Sequence, residues 1–333
     1  MTGRRLCIEE SLVTLLHPIY PRHTNRYGTL HGGRLAGWML EAGGMASMRA
    51  ARGYTVLGAM DYLFILSPGR VGENLHVYAW VVGSTQRTLD VLVYAEARPL
   101  GGAEPRPVSL SLQTYVAVDE NVRPREHGVE VAACSLETEP LVEAHRYWLE
   151  ARLPLIEKRR EIAGSTAPLD AVYRKTSYFF TSPEDTFTIP TVMDASRLFY
   201  QIDQMAAVPA IEYTGAAMVT AGFDAVVFAS PARVGDLVKL EAGITGAGRS
   251  SLEVAVRVAA YNPVTEDRER TVALLYATMV AVDEQGRPQP LPRRPVLSDE
   301  RMQEYLERRR VREERRRIAW QLIEHARELV RGR

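Results

Sequence analysis

"NRYGTLHGGRLAGWMLEAGGM", from Asn25 to Met45, sets an Asn, a His-Gly-Gly turn and a lone Glu41 around the start of an otherwise apolar helix. Alone it is ambiguous, because Gly-Gly before a helix is often only a tight turn, and Asn and His beside it are often only caps. A second copy, 163 residues further on, removes the ambiguity. At that offset "RL" at 34–35 falls on "RL" at 197–198, and Asp61 falls on Asp224. "SPGRVGENL" from Ser67 falls on "SPARVGDLV" from Ser230, and "GSTQRTLDVLV" from Gly83 on "GAGRSSLEVAV" from Gly246, all without a gap. With one extra residue, "VAVDE" at 116–120 meets "VAVDE" at 280–284. The chain is an internal duplication.

Each copy reads alike. A short strand (near 11–19 or 176–181) leads through an extended loop into a long apolar helix (near 33–53 or 195–213). Alternation and Gly/Pro punctuation then mark four strands, at about 56–66, 75–84, 88–98 and 108–118, and again at 217–229, 237–246, 251–261 and 271–282. "LAGWMLEAGGMASM" is apolar almost all round, so the helix must be buried, and each sheet is expected to wrap its own helix. A charged helix follows each unit, from Glu143 and from Met302, and "WLEARLPLIEKRR" aligns with "YLERRRVREERRR" at an offset of 157. The fold class is α+β: domains at 8–125 and 171–292, a helical linker at 126–170 and a C-terminal charged helix at 295–333.

Composition bounds the function. The chain has 333 residues, 46% apolar and 25% charged, enough for two ordinary cores. Net charge is zero, giving no general pull toward nucleic acid or membrane. An Arg-rich nucleic-acid arm at the C-terminus is the lesser reading, since Glu304, Glu307, Glu313 and Glu314 interleave at helical spacing and favour intrahelical ion pairs. There is no run of 18 apolar residues, and "MTGRRLCIEESLV" lacks the apolar centre of a signal peptide, so a cytoplasmic protein is expected. With only Cys7 and Cys134, a disulfide framework and a metal cluster are not expected. Lysine occurs only at Lys158, Lys175 and Lys239, leaving arginine the rest of the 41 basic residues.

Strand, loop, buried helix and four strands is the order of the hot-dog fold. "NRYGTLHGGRLAGWMLEAGG", "AMDYLFILSPGRVGENL" and "RTLDVLV" together resemble the tandem hot-dog acyl-CoA thioesterases, over residues 10–120 and 173–290. That family's pattern is N-x-x-G-x-x-H-G-G with acidic residues nine and ten positions after the His. The resemblance implies an acyl-CoA hydrolase needing no cofactor, coenzyme A being part of the substrate, and assembling as a trimer of tandem units in a hexamer-like ring. It also implies that one catalytic site pairs the Asn of the first loop with the Asp on the second helix. In the first copy Asn25 and His31-Gly32-Gly33 are intact, but the ninth position after His31 is Leu40, with Glu41 at the tenth. In the second copy Thr188 replaces the Asn, Asp194 the His, and Ala195-Ser196 the Gly-Gly, while Asp203 stands at the ninth position. The first copy keeps the loop and the second keeps the acid.

Side-by-side packing of two such units makes two pseudo-symmetric clefts, each from one copy's loop and the other's helix. Asn25 with Asp203 completes one; Thr188 with Leu40 makes the other, expected to lack acid or base. Thioester hydrolysis needs a base or nucleophile and donors for the developing oxyanion. Asp203 takes the first role, Asn25 holds water or carbonyl, and Gly32 and Gly33 at the helix N-terminus form the oxyanion hole. His31 and Glu41 are assigned to substrate binding, His31 more as a turn-stabilising residue than a base. Thr88 and Ser251 are candidate pocket lining, and Arg70 and Arg233 are candidates for the coenzyme A phosphates. Asp61 and Asp224, acids inside strands, read as a shared structural bond. Two other readings stay open: a non-catalytic acyl-CoA-binding protein, because half the machinery is lost, and a dehydratase of the same fold.

Overall fold

The computed structural model describes residues 3–163, 165, 167–265 and 267–331, without the side chains of residues 151–156, 158–160 and 162–163. Most of "WLEARLPLIEKRR" therefore lies outside the described side chains. Chain order is β1 (Arg4–Cys7), β2 (Val13–Pro18), α1 (Gly32–Ala51), β3 (Thr55–Ile65), β4 (Glu73–Ser84), β5 (Thr88–Pro99), β6 (Arg106–Ala117), β7 (Val129–Ala132) and α2 (Glu139–Ala163). The second half continues β8 (Val172–Phe180), α3 (Ala195–Thr214), β9 (Ala217–Phe228), β10 (Leu237–Ala247), β11 (Ser251–Tyr261), β12 (Arg270–Val282) and α4 (Asp299–Arg331).

The two expected sheets are fused into one. Strand order is β2-β4-β5-β6-β3-β9-β12-β11-β10-β8, so β3 and β9, the first long strand of each repeat, pair antiparallel at the centre. Tyr62 lies opposite Asp224 and Phe64 opposite Gly222, where a Cβ would come 2.5 Å from the Leu63 carbonyl oxygen. Only glycine permits that approach. The near-continuous apolar helices α1 and α3 lie together against one side of this sheet. Leu35, Met39, Phe199 and Ile202 are among their fully or almost fully buried side chains. Each such burial is worth roughly 1.5–3 kcal/mol.

The helices touch through glycine. A Cβ on Gly33 would sit 2.7 Å from the Asp203 Cβ and 2.9 Å from the Phe199 carbonyl oxygen, and one on Gly37 would sit 3.1 Å from the Ser196 carbonyl oxygen. The helices thus cross where α1 begins, and α1's N-terminus is held against the middle of α3.

The opposite side of the sheet carries the charged helices. Trp148 of α2 and Ala319, Leu322, Ile323 and Ala326 of α4 are buried with Tyr62, Trp80 and Tyr94 of the first repeat's strands. Further along α4, Arg308 and Arg312 pair with buried Glu253, and Arg312 also with Asp224. Arg315 donates to the Asp61 carbonyl oxygen at 3.2 Å. The Asp224 carboxylate and the Asp61 carbonyl are therefore both engaged by α4, on the side away from the clefts. The intrahelical pairs Arg309–Glu313 and Glu307–Arg310 are present on the solvent side, and Arg308 pairs with exposed Glu304 as well as with Glu253. The inward arginines are the part that helical spacing alone did not disclose.

One expectation fails. Cys7 and Cys134 form a disulfide across a separation of 127 residues. Parallel pairing of β1 with β7, two four-residue strands outside the repeats, brings them together. Strands that short carry no readable alternation, so the two cysteines looked unrelated.

Candidate active site

Asp203 is 3% exposed in the middle of α3, and its carboxylate is held from both repeats. The Gly33 N–H donates to Oδ2 at 2.6 Å, and the Thr220 hydroxyl donates to Oδ1 at 2.5 Å. His31 Nδ1 stands 3.1 Å from Oδ2, without the alignment of a hydrogen bond. A buried carboxylate needs such partners, and the first turn of α1 supplies both free N–H groups and a favourable dipole. The sequence allows this only through its glycines. A Cβ on Gly32 would lie 2.8 Å from the Thr220 Cβ and 3.2 Å from Asp203 Oδ2.

Asn25 sits in the loop before α1. Its side-chain oxygen accepts from the Tyr27 N–H (2.9 Å), the Thr29 N–H (3.3 Å) and the Thr29 hydroxyl (3.0 Å). Three donors fix the amide's orientation, so the group Asn25 can offer a substrate is its NH2. Of the two oxyanion candidates, Gly33 spends its N–H on Asp203, which leaves Gly32 as the remaining candidate. Tyr200, one turn before Asp203, lies between His31 (centroids 5.1 Å apart) and the Arg34 guanidinium (4.9 Å from the ring).

The other candidates disperse. Arg70 bridges to Thr29 beside the first loop, and Arg233 bridges to Val192 beside the second. Thr88 closes a hairpin, its hydroxyl 2.7 Å from that of Thr85, and Ser251 closes the equivalent turn through the Gly248 N–H. Neither pairs with Asp203. Thr220 was missed: it lies 17 residues after Asp203, and its repeat counterpart Leu57 has no hydroxyl. Reading that Thr-for-Leu exchange alongside Asp203-for-Leu40 would have found it.

Glu41 belongs to the other cleft. Together with Asp194 it lines an open cavity of about 280 Å³, walled by Leu40, Met48, Leu57, Val116, Ile189 and Leu198. The expectation that this cleft has no acid is therefore wrong: Glu41 at the tenth position and Asp194 in the His position both line it, and position in the repeat does not tell which cleft a side chain faces. Burial chiefly, and then Asp194, push the Glu41 carboxyl above the usual range. Asp194 caps α3, accepting from the Ser196 N–H at 2.8 Å. This cavity is thus not where the carboxylate, hydroxyl and helix end converge. Chemistry, not volume, distinguishes the Asp203 cleft.

This pair of unlike clefts, on two helix-wrapping sheets joined edge to edge, defines a tandem hot-dog protein of the kind that acts on thioesters. The Thioesterase superfamily model matches residues 27–101 and 196–266. The acyl-CoA thioester hydrolase YkhA of Bacillus subtilis, itself uncharacterized, is 38% identical over 119 residues, 36% of this chain and 67% of the relative. Mouse cytosolic acyl coenzyme A thioester hydrolase is 22% identical over 306 residues, 87% of this chain and 79% of the relative. A Lactobacillus plantarum structure named as an oleoyl thioesterase matches with TM-score 0.56 at 12% identity, covering 82% of this chain and 97% of that one; it shows the fold. The chain belongs to the thioesterase superfamily.

Proposed function

We propose that this enzyme hydrolyses acyl-CoA to free acid and coenzyme A at one composite site per chain, where Asp203 of the second repeat meets the start of α1 of the first. The observation that carries this is the bond from the Gly33 N–H to the Asp203 carboxylate. Asp203 acts as general base on a water that Asn25 orients through its NH2. Thr220 and Gly33 hold the carboxylate in place, and the Gly32 N–H serves the developing oxyanion. Asp203 and Asn25 are the catalytic pair, and Thr220 is a positioning residue. No cofactor enters this scheme. The exposed arginine Arg70, beside the first loop, is the better placed of the two arginine candidates for coenzyme A phosphates.

The relatives named as acyl-CoA thioester hydrolases support the substrate class, and the mouse relative named as cytosolic supports a cytoplasmic location. Among the described residues no helix is long and apolar enough to cross a membrane. A trimer of tandem units remains the proposed assembly: α4 docks on its own chain, and the surface left for a neighbour is at the sheet's edge strands, with Leu16 on β2 and Tyr178 and Phe180 on β8 exposed. Light scattering returning a monomer at micromolar concentration would rule the trimer out.

The test of function is thiol release from acyl-CoA substrates of graded chain length. Release that Asp203→Asn removes is expected. Absence of release at every length, with binding intact, would make the protein an acyl-CoA-binding module instead.

A further inference from the structure

We infer that the second cleft, lined by Leu40 and Glu41 of α1 and Asp194 of the second loop, is a non-hydrolytic binding site for an unbranched aliphatic chain ending in an uncharged hydroxyl donor.

Three observations carry this. The first is the volume and lining of the cavity. A 150 Å³ apolar cavity holds benzene, so about 280 Å³ walled by Leu40, Met48, Leu57, Val116, Ile189 and Leu198 suits a chain of about ten carbons. The second is the polar content of the cleft. Glu41 and Asp194 put two carboxyl groups in it, which offer hydrogen-bond acceptors to a hydroxyl. The third is the closed helix end. Asp194 already occupies the Ser196 N–H, and Ala195-Ser196 replaces Gly-Gly, so α3 offers an oxyanion nothing comparable to the start of α1. The same exchange that removes hydrolysis also selects against a phosphate-bearing ligand, while the apolar walls remain.

The site can be separated from the catalytic cleft by variants. A Cβ on Gly44 meets nothing closer than the Tyr115 ring at 3.8 Å, so Gly44→Leu is sterically allowed on α1 and fills the cavity. It also replaces a mid-helix glycine with a better helix former.

Isothermal titration of the full chain with 1-decanol tests the proposal. One site per chain is expected, its affinity lowered at least tenfold by Gly44→Leu and unchanged within twofold by Asp203→Asn. Decyl phosphate, with the same tail and an anionic head, should bind this cleft at least tenfold more weakly. Should Gly44→Leu not fold, Leu57→Phe fills the cavity from the strand side and should have the same effect. No heat with 1-decanol, undiminished binding in the filled variants, or equal binding of decyl phosphate would each overturn the assignment. None of these readouts uses thioester turnover, so failure of the hydrolytic reading would leave this one standing, and the reverse.

Discussion

At the start of α1 a histidine leaves the first-turn N–H groups uncovered, and Asp203 of the partner repeat takes one of them at 2.6 Å. At the start of α3 an aspartate stands in the same position and covers the Ser196 N–H itself. The surroundings follow suit. Glycine at 32 and 33 brings the opposing helix against the backbone of α1's first turn, whereas at the start of α3 Ser196 meets the opposing helix at Gly37. Leu40 and Leu57 stand where Asp203 and Thr220 stand across the dyad. The difference teaches that a helix N-terminus is open to a buried acid from elsewhere when its own cap is absent. With a local acid in place the same backbone is merely a well-capped helix.

The comparison breaks most readily at Asp203. Asp203→Asn should lower kcat by about a hundredfold or more, as loss of an essential base does, with Leu40→Ala and Thr188→Ala in the opposite cleft leaving kcat within about threefold. Steady-state thiol release decides it, and equal losses on both sides would end the single-site reading. Thr220→Val keeps shape and removes the hydroxyl, so kcat should fall about tenfold with little change in KM. Its counterpart Leu57→Thr should leave turnover untouched.

Gly33→Ala sharpens the packing half of the contrast. The added Cβ meets backbone and an Asp203 carbon below 3 Å, so a destabilisation of roughly 1–3 kcal/mol is expected in denaturant unfolding. Ser196→Gly, the reverse exchange at the mirrored position, should cost less than 1 kcal/mol.

The smallest effect concerns acid stability. His17 stacks on Trp38 at 4.3 Å, and burial, with a lesser push from His23, lowers its pKa to about 4. The native protein thus resists a proton that the unfolded chain accepts near pH 6.5, so stability is full above that pH and falls as pH drops toward about 4. His17→Phe keeps the stack and should flatten that limb of the unfolding free energy against pH by about 2 kcal/mol. An unaltered limb would show that His17 does not titrate differently on folding.

The repeat offset made the architecture readable, since identical words 163 residues apart fix element order, and a long apolar helix between alternating strands has few ways to be buried. Asn25 and Asp203 could be singled out for the same reason, each being the retained member of a position lost in the other copy, and of the two it is Asp203 that the structure places against the first repeat. Thr220 was not, because one threonine in a strand carries no signal until Leu57 is set beside it. Nor was the acid content of the second cleft, because helix phase decides which cleft Glu41 faces. The β3–β9 junction and the disulfide depend on contacts between distant backbone segments, which periodicity does not encode.

The Cys7–Cys134 bond closes a loop containing all of the first repeat's sheet and helix. A protease that nicks the chain anywhere inside that loop, for example in the exposed turn around Leu100 and Gly101, releases nothing: both pieces stay attached to each other and to the second repeat. Such a nick is silent by mass on a nonreducing gel and shows two fragments only once a thiol is added. Cleavage in the exposed turn at Pro263–Thr265 of the second repeat lies outside the loop and separates the fragments without reduction. The two halves of one duplicated chain thus differ in their covalent topology: one is a ring with tails, the other an open string.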